Sequence, residues 1–110
     1  MSEFDWPDDP YLFDQTKDQI IKDFQLGAVA IDIAPDIKTW HQLAEFLEPI
    51  LLQLHSKKPE TLLAVLYRFD IMKIQFDERF NTLQGSIGHK LAFVIIQRAF
   101  SKVMSRRSRS

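Results

Sequence analysis

SIGHKLAFVIIQRAFSKVM, residues 86–104, is the stretch around which the rest of the chain is organised. Wound as a helix at about 100° per residue, it places Ile87, Leu91, Val94 and Ile95 on one side. Phe93, Ile96, Phe100 and Val103 take another side, with Ala92 and Ala99 between them, and Lys90, Gln97 and Ser101 form a narrow polar wedge. A helix that is apolar nearly all round is one that other protein surrounds, so this segment reads as the central helix of an all-α fold. Arg98 and Lys102 fall within the apolar arc, near the end, where long basic side chains are expected to reach water.

The segments that precede it supply the surround. Pro7 and Pro10 break residues 1–10 into an irregular lead-in that Phe4 and Trp6 can anchor to the core. A first helix runs from about residue 11 or 15 to 26, with Phe13, Ile20, Ile21 and Phe24 on one face and Asp18, Asp23 and Gln25 turned away from it, and Gly27 stops it. AVAIDIAP, residues 28–35, alternates like a strand. With no second strand to pair with, it is expected to be an extended packed connection, ahead of a continued helix or a strand paired across a dimer. The second helix starts near Asp36 or Thr39, both suitable N-caps, and runs to about His55. Its stripe is Trp40, Leu43, Phe46, Leu47, Ile50, Leu51 and Leu54, and Pro49 inside it should kink or divide it.

SKKP, residues 56–59, is a turn in which Pro59 opens a third helix that gathers Leu62, Val65, Leu66 and Phe69. Asp70 reads as the cap of a fourth, over 71–83, with Met72, Phe76, Phe80 and Leu83 in line. Gly85 ends that helix and Ser86 caps the central one. The expectation is a compact all-α bundle of about five helices with short links.

The chain has 110 residues, within the range of one domain, here expected to span 1–110 with the irregular lead-in and a basic tail at 105–110. Apolar residues make up 45%, with nine Phe and two Trp, enough for a core without staples. There is no Cys, which excludes disulfide scaffolds, thiolate zinc sites and Cys nucleophiles. The acidic start has no apolar run of the secretory kind, and no uninterrupted apolar stretch reaches the roughly 18 residues of a membrane span. A cytoplasmic protein is expected.

The net charge of −1 conceals an asymmetry. Glu3, Asp5, Asp8, Asp9 and Asp14 stand in residues 1–14 without a base, whereas Arg98, Lys102, Arg106, Arg107 and Arg109 stand in 98–110 without an acid. Such a tail either contacts an anionic partner or is simply a solvated terminus, and so few charges favour the second reading. His41, His55 and His89 form no HExxH or ExxH pair, and Glu45 and Glu48 share a helix face without a visible partner. The glycines at 27, 85 and 88 are isolated punctuation rather than a phosphate loop. No Ser stands beside an evident base, so no catalytic constellation, cofactor or small-molecule substrate is inferred. Residues 60–83 have the outline of a helix-turn-helix, but the second helix carries as many acids as bases.

Leu66, Tyr67 and Arg68 spell the tripeptide of the LYR-motif family, small helical adaptors of iron–sulfur and respiratory-complex assembly. In that family the tripeptide opens the first helix, whereas here it lies in the third, so it is taken as incidental. LLAVLYRFDI and the later apolar helix ending in basic residues resemble small bacterial helical proteins of unknown function, which implies no activity. From the residues themselves, Tyr67, Arg68 and Asp70 read as a tight corner between helices, with Arg68 pairing to an acid.

The function expected is a non-catalytic protein–protein interaction module that self-associates as a homo-oligomer. Leu52 stands on the polar side of the second helix, and Ile71 and Ile74 stand off the stripe of the fourth, so these three are the candidate partner-binding residues. The alternative is a nucleic-acid-binding protein using Arg106, Arg107 and Arg109, although no nucleic-acid binding is expected at physiological salt.

Overall fold

The computed structural model describes residues 6–69 and 85–108, with the side chain of Ser108 excepted. These residues form four helices and no strand: α1, Pro10–Leu26; α2, Trp40–Lys57; α3, Pro59–Arg68; and α4, Ile87–Ser108. The helix expected over 71–83, with the Asp70 cap, lies outside the described residues, as does Phe4. The radius of gyration, 13.2 Å, is that of a close-packed chain of this length.

Each helix start is set by local chemistry. Asp9 caps α1, its Oδ1 accepting from Tyr11 N–H at 3.0 Å and Leu12 N–H at 3.2 Å, with Pro10 at the first helical position. Thr39 caps α2 through a capping box: Gln42 N–H donates to Thr39 Oγ1 at 3.1 Å, and Gln42 Oε1 accepts from Thr39 N–H at 3.2 Å. Ser86 caps α4, accepting from His89 N–H at 3.2 Å. Lys58 alone separates α2 from α3, and Pro59 takes the first position of α3, where a missing N–H costs nothing. Pro49 does not divide α2, which runs on through it as one helix.

α4 is the centre. Leu91, Ala92, Val94, Ile95, Ile96, Ala99 and Val103 are each at most 1% exposed, and both α1 and α2 pack along it. At about 1.5–3 kcal/mol for each fully buried large aliphatic side chain, this helix holds a large share of the stabilisation. Trp6 straps the lead-in onto it, stacked on Phe93 at 5.5 Å and edge-on to Trp40 at 5.4 Å. Trp40 Nε1–H donates to Pro7 O at 3.2 Å. Residues 29–34 are neither helix nor strand; Val29, Ile31 and Ile33 are half-buried against the core, as a packed connection requires.

Two glycines are fixed by space. A Cβ on Gly27 would lie 2.7 Å from Val65 Cγ2, so α1 and α3 meet there at backbone range. The left-handed conformation that usually favours glycine after a helix belongs instead to Ala28, at φ 69°. A Cβ on Gly88 would lie 2.8 Å from Leu52 Cγ and 3.2 Å from Glu48 O, so the first turn of α4 sits directly on α2.

Two expectations are corrected. Asp23 is not turned away from the core: it is 3% exposed, on the face of α1 that meets α4. Arg98 and Lys102 do not simply emerge into water. Arg98 Nε–H donates to Phe69 O at 3.0 Å, while Lys102 Nζ bonds Asp23 Oδ2 at 3.0 Å and also donates to Arg68 O. The two cations thereby satisfy carbonyls left over at the C-terminus of α3, where the helix dipole also favours positive charge. The basic tail expected at 105–110 is helical as far as Ser108, the last residue of α4.

Candidate interaction surface

α3 has ten residues and two opposed faces. Leu62, Val65 and Leu66 are buried toward α1 and α2, and Phe69, at the C-cap, packs edge-on to Phe24 with ring centroids 5.9 Å apart. Turned by about 100° per residue, Glu60, Leu63, Ala64, Tyr67 and Arg68 fall on the opposite side. All five are exposed. Leu63 is 65% exposed and Tyr67 75%, the two most open large apolar side chains among the described residues. As i and i+4 neighbours they adjoin on the helix surface and make one apolar strip, bounded by Glu60 in the first turn and Arg68 in the last.

The sequence reading missed this strip because it weighed α3 by its inward stripe alone. The signal was present: once Leu62, Val65, Leu66 and Phe69 define the buried side, Leu63 and Tyr67 have no place in it. Of the LYR tripeptide, Leu66 is core, Tyr67 faces outward, and the carbonyl of Arg68 accepts from Lys102.

Of the residues singled out beforehand, Leu52 is 41% exposed, and its Cγ lies over Gly88, so part of its surface is taken up by the α2–α4 contact. Ile71 and Ile74 lie outside the described residues. The basic set is divided: Arg106 donates from Nη1 to Gln19 Oε1, Arg107 is exposed on the last turns of α4, and Arg109 lies outside the described residues.

Arg106 belongs to a short polar seam where the last turns of α1 meet the C-terminal part of α4. Gln19 takes the Arg106 hydrogen bond on its Oε1 and donates from Nε2 to Asp23 Oδ2 at 2.8 Å, where Lys102 also bonds. Arg98, Lys102 and Arg106 recur every four residues, one helical turn apart, and each bonds to a neighbouring element, Arg98 and Lys102 half-buried and Arg106 exposed.

His41, His89, Glu45 and Glu48 are similarly engaged. His41 Nε2 meets Glu45 at 2.8 Å on the exposed side of α2, while Glu48 lies 3.8 Å from His89 Nδ1 and accepts from Ser86 Oγ at 3.4 Å. In this last group the carboxylate stands between hydroxyl and imidazole, whereas an activated serine needs the imidazole in the middle. The group therefore reads as an anchor for the start of α4. Among the described residues no cluster of three His, Asp or Glu is placed to hold a metal ion, and no helix is long and apolar enough to cross a membrane. A cleft of about 450 Å3 beside Trp6, Phe13 and Trp40 is rimmed by carboxylates, but Asp9 is occupied in capping α1 and Asp14 pairs with Lys17 at 3.4 Å.

No protein-family model, curated protein or solved structure matches the chain. The surface of the molecule itself is thus what carries a functional reading.

Proposed function

We propose that this protein is a non-catalytic interaction module that associates with itself through the outer face of α3. The observation that supports this is the placement of Leu63 and Tyr67, 65% and 75% exposed, side by side on a helix whose other face is fully engaged in the core. Scattered apolar residues on a surface need no explanation, but an adjoining pair that includes an aromatic is the composition of a contact site. Twofold homodimers are the commonest use of such a patch. The tail reading has less support, because Arg106 is engaged with α1, leaving fewer cations for phosphates.

Light scattering over a concentration series up to about 1 mM, the range that weak contacts require, tests the proposal. The mass is expected to rise toward that of a dimer. Tyr67→Asp is expected to hold it at the 12.9 kDa of the monomer while leaving helical circular dichroism unchanged. A wild-type mass that stays at the monomer value throughout would overturn self-association.

A further inference from the structure

The outer face of α3 carries charges as well as an apolar strip, and their spacing is symmetric. Glu60 and Arg68 are exposed, of opposite sign, and stand four residues to either side of Ala64, which is also exposed. At about 1.5 Å per residue each charge lies about 6 Å along the axis from Ala64. A helix face arranged in this way is complementary to its own copy run in the opposite direction.

Resting on the self-association proposed above, we infer that two copies pair α3 against α3 antiparallel, about a twofold axis that passes at Ala64. Three features of the face agree with this. The twofold sets Glu60 of each copy level with Arg68 of the other, making two equivalent ion pairs, whereas a parallel pairing would set Glu60 against Glu60 and Arg68 against Arg68. Ala64 at the crossing point has the small side chain that lets helices approach to the short end of the usual 8–10 Å. Leu63 and Tyr67 lie on the same flank of the Ala64 line, and a twofold perpendicular to the helices keeps both copies' pairs on one edge, where the four side chains cover each other. The charges choose the orientation, and the apolar cluster supplies the adhesion. Five residues a side fall short of the about 800 Å2 per partner of a stable complex, so the dimer is weak and reversible.

Charge reversal tests the orientation. Glu60→Arg leaves two arginines on the face and Arg68→Glu leaves two glutamates, so each variant alone is expected to dimerise at least about tenfold more weakly than wild type, the two lost attractions having become repulsions. Mixed in equal amounts, the two variants are expected to associate with each other at about the wild-type affinity, since every Arg then meets a Glu. That recovery also shows that both variants are folded. Sedimentation velocity with one variant fluorescently labelled reads each case. If wild type dimerises but neither reversal weakens it, or the mixture does not recover, the antiparallel α3 pairing is wrong while self-association stands. If wild type does not dimerise at all, both fail together.

Discussion

α3 and α4 are both rich in apolar residues and both carry arginine, yet they dispose of their charges in opposite ways. α4 engages its basic row within the fold, with Arg98, Lys102 and Arg106 each bonded to α1 or to the end of α3. α3 turns its charges outward and keeps two large apolar side chains beside them. The difference follows from position rather than composition. α4 is flanked by α1 and α2, so the polar groups that its sides bring against them find partners within the fold. α3 is two to three turns long and, among the described residues, rests on α1 and α2 with one side only, so its other side is left exposed.

Several substitutions would break this contrast, beginning with the most severe. Ile95→Asp places a carboxylate at a fully buried position of α4, at a cost of several kcal/mol against a total stability of about 5–15 kcal/mol, and is expected to abolish the cooperative thermal transition. A melt close to wild type would show that α4 is not enclosed.

Lys102→Met keeps much of the side-chain volume but removes the ammonium from Asp23 and from the carbonyl of Arg68. Because Gln19 still donates to Asp23 at 2.8 Å, the loss is expected to be about 2–3 kcal/mol, less than that of a wholly orphaned buried charge, and urea denaturation measures it. A change under about 0.5 kcal/mol would mean that the seam is a surface feature.

Gly27→Val is expected to cost about 1–3 kcal/mol by overpacking, since the new Cβ would meet the Val65 side chain at 2.7 Å and its backbone at 3.1 Å. At the small end of the scale, Leu63→Asp is expected to change stability by no more than about 0.5 kcal/mol, because the side chain is 65% exposed. The same substitution should suppress dimerisation. A large loss of stability would mean that Leu63 belongs to the core and that α3 has no outer face to offer.

How much of this was legible in the sequence depends on the period of the pattern and the length over which it repeats. The α4 stripe and the α2 stripe each repeat over several turns, so their burial followed from spacing alone, as did the caps Thr39 and Ser86. Asp23 was misjudged because a charged residue beside an apolar stripe is normally solvated. Its burial depends on Lys102, 79 residues away, and no local rule reports that pairing. Pro49 was expected to kink or divide α2; it does not divide it, because the lost N–H removes one bond from a helix that the core holds along its length. Leu63 and Tyr67 were visible but unweighed: in a ten-residue helix, two apolar residues outside the stripe are few enough to be passed over.

The absence of cysteine from the chain makes one measurement especially direct. Ala64→Cys places a single thiol where the twofold axis is proposed to cross α3, and a disulfide needs the two Cα atoms within about 7 Å. Under oxidised glutathione this variant is expected to form a covalent dimer at least about tenfold faster than Ser101→Cys, an exposed position on α4, and Tyr67→Asp in the same chain should remove the advantage. Equal rates for the two thiols, or a rate at residue 64 unaffected by Tyr67→Asp, would contradict the account that copies of this protein meet through the outer face of α3.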